Sequence, residues 1–322
     1  MAGANLDRMT GEAPTLPDAG VRAAWLYHIE GLTQAEIARE LKLSRAKVIR
    51  LLAAARDTGV VRIRIDARGS EQMALERRLV REFALAEAIV TPSPAKESAV
   101  SAVVGYAAGL YLANEVRDGM SLAVGWGSTL SYSLKAIGDR HVARLSVISL
   151  LGGMTHSRAV NPSAVARRLA DVFGADCYQL TAPLFVTEPS TRAALWKERG
   201  LSDLLARARN ADIAMLSVGD VREDATLFRE GLLPRLVLKS LVAAGAVGDV
   251  LCHFVDAQGR VVDHPVNERV VAVGLEDLRR VPKIVLAAGG KRKARAIRAA
   301  LMATRAKVLI TDESAARAML VI

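Results

Sequence analysis

The sequence contains only two cysteines, Cys177 and Cys252, and they lie far apart in the chain. Two distant cysteines supply neither a disulfide framework nor a cysteine-rich metal site. The five histidines are scattered without the spacing of metal ligands, which favours structural roles over zinc binding. We therefore predict no metal and no cofactor, and the scarcity of cysteine favours a reducing, cytoplasmic compartment.

Long apolar runs are also lacking. No run reaches the roughly 18 residues that a membrane span requires. The segment from Met1 to Gly20 has no basic stretch followed by an apolar one, which is the pattern of a secretory signal. These absences predict a cytoplasmic protein with no membrane partner.

Aromatic residues make up only 4% of the chain, and none interleaves with the basic segment at residues 39–64. Proteins that bind single-stranded nucleic acid stack bases on aromatic side chains. The composition therefore argues against an architectural or RNA-binding protein.

The sequence has an excess of positive charge, and much of it is concentrated in one segment. The formal net charge is +10, in a chain that is 51% hydrophobic and 24% charged, an ordinary globular mixture. Residues 39–64 contain eight basic residues opposed only by Glu40 and Asp57. Such a cluster is the electrostatic footprint of a protein that contacts phosphates.

The same segment has the pattern of a helix-turn-helix. After a loose arm at residues 1–19, an apolar stripe of Ala23, Ala24, Leu26 and Ile29 predicts a first helix that ends at Gly31. Thr33 and Glu36 have capping-box spacing for a second helix over residues 34–41. Ser44 is a good N-cap for a third helix over residues 45–58. We predict a DNA-binding domain at residues 20–66.

Side chains outside the apolar stripe of the third helix can reach base edges and phosphates in a major groove. Residues 60–65 alternate with period two, which predicts a wing strand with outward arginines. Lys42 stands where such turns usually carry glycine, so we expect a turn of slightly different shape. The predicted DNA-binding residues are Gln34, Ser44, Arg45, Lys47, Arg50, Arg62 and Arg64.

The rest of the chain predicts a linker helix at residues 67–84 and a larger α/β domain at residues 85–322. The helix could join the domains or pair two chains. In the large domain, helices alternate with short apolar runs, which predicts a mostly parallel sheet covered on both faces. The predicted strands are residues 87–90, 121–125, 145–151, 177–180, 213–218, 250–255, 283–288 and 308–311. The predicted helices include residues 100–116, 162–173, 192–207, 233–244 and 291–304.

Two strand-to-helix turns of this domain carry glycines, at residues 125–130 and 288–291. Glycines let the backbone approach an anion closely, and ligands of parallel sheets bind at the carboxyl ends of the strands. The first turn is not the dinucleotide fingerprint, because Leu130 occupies the third glycine position, and no Walker lysine follows. Together the turns suggest a pocket for a phosphate or a polyhydroxyl compound, although either could be a plain tight turn.

With these segments in place, the chain from Val21 to Leu320 resembles the SorC family of sugar-binding bacterial transcriptional regulators. The resemblance implies a sensing domain similar in fold to phosphosugar isomerases, a homo-oligomer (dimer or tetramer), double-stranded operator DNA as partner, and a sugar or sugar phosphate as effector. It rests on residues 32–38 and 43–45 in the head and on residues 125–130, 151–153, 181–184, 248–250, 254–256, 288–291 and 296–297 beyond it.

The resemblance also implies an effector site. Gly127, Ser128 and Thr129 would hold a phosphate or the hydroxyl that replaces it. Asp256 would accept sugar hydroxyls and Lys291 would donate to the anion. The remaining residues implied to line the site are Gly152, Gly153 and Asn161.

The chain departs from the family pattern at residues 217–220 and at Cys252-His253, where glycine and arginine are frequent. The loss of a basic residue at His253 keeps a neutral polyol or simple sugar open as the effector. Residues 23–26 resemble the branch of the family that governs polyol catabolism.

We therefore predict a regulator of a carbohydrate or polyol operon and not an enzyme. The family resemblance implies that it acts as a repressor, which is the commoner mode in that family. The alternative is an isomerase-like enzyme with an appended DNA-binding head. Isomerisation needs a base beside the substrate carbon. Asp220 and Asp256 are the candidates, but carboxylates in sugar pockets more often accept hydrogen bonds.

Overall fold

The computed structural model describes residues 18–61, 70–138, 140–154 and 161–322. The chain splits into two compact units, Met1–Ile65 and Asp66–Ile322. Each unit has a hydrophobic core of its own. We refer to them as the head and the large unit and describe each by itself.

The described residues of the head form three helices, as predicted: α1 (Asp18–His28), α2 (Gln34–Glu40) and α3 (Arg45–Asp57). They pack around a small core. Its fully buried side chains include Ala23 of α1, Ile37 of α2 and Val48 of α3. The small alanine lets the helices approach closely, and the larger side chains fill the space between them.

Two details of the head differ from the sequence-based expectation. Ile29 follows α1 and is 66% exposed, so it does not share the buried stripe. Lys42 adopts the left-handed conformation, with φ of +52°, that a glycine would take in this turn. The predicted wing begins at Val60, but residues 62–65, with Arg62 and Arg64, lie outside the described residues.

The large unit is built on a seven-stranded sheet in the order β1-β10-β9-β5-β2-β3-β4, and every neighbouring pair is parallel. The predicted α/β class is confirmed. All five residues of β10 are buried, as expected for apolar runs in a parallel sheet. The strands are β1 (Glu87–Thr91), β2 (Ser121–Val124), β3 (Ser146–Ser149), β4 (Asp176–Tyr178), β5 (Ile213–Leu216), β9 (Lys283–Ala287) and β10 (Val308–Asp312).

One predicted strand, residues 250–255, is wrong. The segment forms a tight hairpin of β7 (Gly248–Val250) and β8 (His253–Val255), which pairs with the short β6 (Gly219–Asp220) in a separate antiparallel sheet. Leu251 and Cys252 have φ of +51° and +64°, so the chain reverses there without a glycine.

Helices connect the strands of the large unit. The helix predicted at residues 192–207 is two helices, because Glu198 has ψ of 131°, which interrupts the helical backbone. The helices are α4 (Ser70–Glu82), α5 (Val100–Glu115), α6 (Ser128–Ser133), α7 (Pro162–Phe173), α8 (Pro189–Lys197), α9 (Arg199–Arg209), α10 (Thr226–Arg229), α11 (Arg235–Ala243), α12 (Pro265–Arg269), α13 (Leu275–Leu278), α14 (Ala294–Thr304) and α15 (Glu313–Met319), with 3-10 turns at Glu97–Ala99 and Lys291–Lys293.

The predicted linker helix corresponds to α4. Its Leu75 and Leu79 are buried in the core of the large unit, where α4 packs against β1 and α15. Arg317 of α15 also contacts Glu71 of α4 at 3.0 Å. Within the described residues, α4 is therefore an integral part of the large unit.

The strand order reverses between β2 and β5. From β2 the chain proceeds to β3 and β4 on one side, whereas β5, β9 and β10 follow one another on the other side. Such a reversal opens a crevice at the carboxyl ends of the strands, where ligands of open α/β sheets bind.

Candidate functional site

Capping interactions fix the starts of α2 and α3 in the head. The Glu36 backbone N–H donates to Thr33 Oγ1 at 3.3 Å, and the Thr33 backbone N–H donates to Glu36 Oε2 at 2.7 Å. This is the predicted capping box, and the hydrogen bonds from the Thr33 hydroxyl and N–H lower the pKa of Glu36. The Lys47 backbone N–H donates to Ser44 Oγ at 3.2 Å, as predicted for the cap of α3.

These caps orient a cationic face of α3. Val48, Leu52 and Ala55 are buried, whereas Arg45 and Arg50 are exposed. Of the residues predicted to contact DNA, Ser44 and Lys47 are also exposed and Gln34 is half-buried at the start of α2. The head therefore presents guanidinium groups on a helix that is anchored in the core by Val48, Leu52 and Ala55.

A polar cavity of about 480 Å³ lies at the carboxyl ends of β2, β5 and β9 in the large unit. Residues 126–129 follow β2, residues 217–220 follow β5, and residues 289–293, except Lys291, follow β9. The cavity therefore coincides with the crevice that the strand reversal opens, and its volume is typical of small-molecule sites.

The first glycine turn forms one wall of this cavity. Gly127, Ser128 and Thr129, which the sequence predicted for the effector site, all line it. Gly127 has φ of +114°, a conformation that side chains disfavour, and it directly precedes α6. Ser128 Oγ lies 3.2 Å from Ser101 Oγ of α5, so a serine pair stands at the wall.

The position of α6 depends on glycines in α5. A Cβ at Gly105 would overlap the backbone oxygen of Thr129, and one at Gly109 would overlap that of Ser133. The two glycines lie one turn apart, so they form a flat strip on which α6 rests. This strip lets the backbone of α6 pack closely against α5.

Two buried carboxylates form another wall. Asp220 of β6 and Asp249 of β7 are 7% and 5% exposed, and both line the cavity. The Cys252 backbone N–H donates to Asp249 Oδ2 at 3.0 Å. Burial raises the pKa of Asp249 to about 6, against the opposing effects of that N–H and of nearby Lys293. Buried carboxylates of this kind can accept hydrogen bonds from ligand hydroxyls.

Four cationic side chains line the cavity as well. Arg222 contacts Asp220 at 2.6 Å, Arg229 contacts Glu230 at 3.2 Å, and Arg292 contacts Glu97. Lys293 Nζ donates to the Val218 carbonyl at 3.0 Å. Arg222 Nε is one of the buried side-chain atoms of the described residues that have no hydrogen-bond partner.

Five residues predicted for the effector site do not line the cavity in the described part of the chain. Asp256 accepts hydrogen bonds from the Gln258 and Arg260 backbones and from Arg260 Nε, all at 2.9 Å, within a turn. Asn161 caps α7, accepting from the Ser163 N–H at 3.3 Å. The other three are Gly152, Gly153 and the exposed Lys291.

The expectation based on His253 needs correction. His253 is buried, its Nε2 lies 3.2 Å from the Val273 carbonyl oxygen, and it does not line the cavity. Burial, assisted by the charge of Arg192, lowers the pKa of His253 to about 4. A neutral, structural histidine gives no information on the charge of a ligand in this cavity.

The site also contains residues that the sequence-based reasoning did not assign to the effector. Asp249 lies in a motif that the family resemblance quoted, at residues 248–250, yet it received no role. Lys293 lies two residues after the predicted Lys291 and occupies the position facing the cavity. Arg222, Arg229 and Arg292 lie in segments with no motif, so their grouping required the fold.

The described residues contain no group of three or more His, Cys, Asp or Glu side chains that could hold a metal ion. None of the helices there combines the length and the apolar character needed to cross a membrane.

The amino-acid sequence is similar to those of known regulators and matches a known domain family. Residues 68–321 match the family described as "Putative sugar-binding domain". The chain is 33% identical over 301 residues to a deoxyribonucleoside regulator of Bacillus subtilis, covering 93% of this chain and 96% of that protein. It is 32% identical over 302 residues to the erythritol catabolism regulatory protein EryD of Brucella abortus, covering 93% and 95%.

A solved structure is similar along nearly the whole chain. The full-length sorbitol operon regulator SorC of Klebsiella pneumoniae superposes with a TM-score of 0.71 and 24% identity, covering 94% of this chain and 98% of that one. At this identity the likeness concerns the fold.

Proposed function

The chain belongs to the SorC family of sugar-binding transcriptional regulators, and from this premise we propose that it represses a carbohydrate or polyol catabolic operon under the control of a small effector. The resemblance that the sequence predicted is thereby confirmed at the level of the family. One observation carries the proposal. The same chain combines a capped cationic helix with a cavity in which buried carboxylates face arginines and a lysine.

The head is the DNA-binding part of the proposed regulator. Arg45, Lys47 and Arg50 supply charge for phosphates and donors for base edges, and α3 has the dimensions that a major groove admits. Gln34 and Ser44 lie at the helix starts that such motifs place near the backbone of the duplex. Arg62 and Arg64 stay predictions as contacts of the wing.

The cavity of the large unit is the proposed effector site. Asp220 and Asp249 would accept hydrogen bonds from hydroxyls, and Ser128 and Thr129 would bind the far end of the molecule. Arg222, Arg229 and Arg292 each contact a carboxylate already, so a phosphate would have to replace these pairs. Several hydroxyls are therefore the essential feature of the effector, and a polyol such as the one in the name of EryD is a first candidate.

Binding rather than catalysis is proposed for the two carboxylates. Asp220 is held by Arg222, and Asp249 accepts the Cys252 N–H, which are arrangements that fix a hydrogen-bond acceptor. A general base must instead be free to take a proton from the substrate carbon. Incubation with sugar phosphates is expected to give no isomer exchange, and measurable turnover would favour the isomerase alternative.

The proposed regulator acts as a homo-oligomer, a dimer or tetramer, because two heads are needed to bind a repeated or palindromic operator. Effector binding in the large unit would then change the affinity of the heads for DNA. The relatives named above are regulators, which supports this arrangement for the present chain.

A thermal-shift screen of sugars, polyols and their phosphates, combined with operator binding, tests the proposal. A ligand that binds the folded state raises the melting temperature by mass action. We expect Arg50→Ala to lose operator binding by at least tenfold while it keeps the thermal shift. We expect Asp249→Asn to lose the thermal shift and to keep operator binding.

Asp256→Asn is the matched control, since it makes the same chemical change at a carboxylate outside the cavity. It should keep both properties. Loss of the thermal shift in Asp256→Asn but not in Asp249→Asn would place the effector elsewhere. Loss of both properties in Arg50→Ala would contradict the separation of functions between the units.

A further inference from the structure

The recognition helix α3 carries an apolar side chain in the middle of its cationic face. Ile49 is 45% exposed, whereas its neighbour Val48 is fully buried in the head core. Residues three and four apart are neighbours on a helix surface, so Ile49 lies beside Ala46 and Arg45, which are both exposed. We define the recognition face as Arg45, Ala46, Ile49 and Arg50.

We propose that Ile49 determines operator specificity by contacting the 5-methyl group of a thymine in the major groove. The proposal rests on the DNA-binding function proposed above and extends it to the base that is read. It commits to duplex DNA as the occupant of the recognition face, because Arg45 and Arg50 give that face the charge complementary to phosphates.

An exposed isoleucine by itself needs no explanation, since apolar atoms make up much of any protein surface. The location of Ile49 is what carries the inference. Arginines that approach phosphates and base edges bring the side chain between them to the same groove. The thymine methyl is the apolar group that base edges present there.

The chemistry of the side chain fits this role. Isoleucine is branched at Cβ, so in a helix it adopts essentially one χ1 rotamer. Ser44 caps α3 and the buried Val48, Leu52 and Ala55 hold its other face, so the backbone beneath Ile49 is fixed. A fixed apolar group can distinguish thymine from cytosine by contact, without any hydrogen bond.

Replacement of thymine by uracil tests the proposal, because it removes the methyl group and leaves the base pairing intact. The operator is first selected from a pool of random duplexes with the full-length protein. Each thymine of one half-site is then replaced by uracil in turn, and the dissociation constants of wild type, Ile49→Ala and Ile29→Ala are measured. Ile29 is the control, since it is an exposed isoleucine that lies outside α3.

We expect wild type and Ile29→Ala to lose about fourfold in affinity at one particular thymine, the effect of one buried methyl group. Ile49→Ala should bind the thymine and uracil duplexes equally, and its circular dichroism should match that of wild type.

Several results would overturn the proposal. A uracil penalty that persists in Ile49→Ala assigns the methyl contact to another residue. The absence of any penalty in wild type, or a selected operator without thymine, shows that no methyl group is read. These results differ from a failure of the proposed function, in which the full-length protein would select no duplex at all.

Discussion

Asp249 is the residue whose ionisation the fold alters most clearly at the proposed effector cavity. Burial raises its pKa to about 6, from the ordinary value of about 3.9, and Asp220 on the paired strand acts in the same direction. The folded protein therefore holds the proton more tightly than the unfolded chain does. Consequently, this group lowers the stability of the protein as pH rises from about 4 to 6, and the cost is fully present above that range.

Asp249→Asn should abolish this pH dependence. A shift of about two pKa units corresponds to roughly 3 kcal/mol. The free energy of unfolding of the variant, relative to that of wild type, should therefore increase by about this amount from pH 4 to pH 7.5. Urea unfolding at the two pH values measures it. In a Trp25→Phe background the fluorescence reports on Trp126 and Trp196, which belong to the large unit.

Asp256→Asn is a control for which the expected pH dependence of stability has the opposite sign. Burial alone would raise the pKa of Asp256, but hydrogen bonds from Arg260 and Gln258 hold it below the ordinary value. A lowered pKa stabilises the folded state at neutral pH, so this variant should lose stability relative to wild type as pH rises. The same pH trend in both variants would contradict the assignment of the raised pKa to Asp249.

At the scale of elements, the contact between α5 and α6 determines where the glycine turn lies. Gly105 faces the backbone of Thr129 with no room for a side chain. Gly105→Ala should therefore lower the free energy of unfolding by about 1–3 kcal/mol, the usual cost of overpacking, even though alanine is the better helix former. It should also reduce the thermal shift caused by the effector, because α6 carries Ser128 and Thr129.

Gly200→Ala is the matched control for that prediction. Gly200 lies in α9, and nothing stands within 4 Å of the position that its Cβ would occupy. This substitution should be neutral or stabilise the protein by about 0.5–1 kcal/mol. Equal stability of the two variants in urea unfolding would argue against a tight packing of α5 on α6.

The elements that the sequence predicted best are those marked by a clear apolar run or by a helix cap. The apolar runs of the seven parallel strands stand between helical segments, and the caps at Thr33 and Ser44 precede α2 and α3. The hairpin of β7 and β8 was missed because residues 250–255, which are apolar except for His253, have the pattern of a single strand. Its turn uses left-handed Leu251 and Cys252, where no glycine or asparagine signals a reversal.

The site was predicted only as far as local sequence determines it. The turn at Gly127 follows from strand, glycine and helix in succession. Lys293 was missed because the chain enters α14 through a 3-10 turn, in which successive side chains are about 120° apart. Asp220 and Asp249 come together through pairing of β6 with β7, a contact between segments 29 residues apart that no local pattern reveals.

At the scale of the whole molecule, the proposed regulator must couple two sites that belong to different units. Each unit has its own core, and the residues proposed for DNA and for effector do not overlap. A molecule of this kind responds to an effector only if the effector binds the DNA-free form more tightly than the DNA-bound form, or the reverse. Separate sites alone give no regulation.

Thermodynamic linkage makes this coupling measurable from either side. If an effector found in the thermal-shift screen changes operator affinity by a given factor, operator DNA must change effector affinity by the same factor, typically 5- to 150-fold. Titration calorimetry with the effector, with and without saturating operator, should return that factor for wild type. Arg50→Ala should bind the effector equally in both conditions, because the duplex no longer occupies its head. Reciprocity follows from free energy alone, so the informative result is the size of the factor: a factor of one in wild type would mean that effector and operator do not act on one equilibrium of this chain.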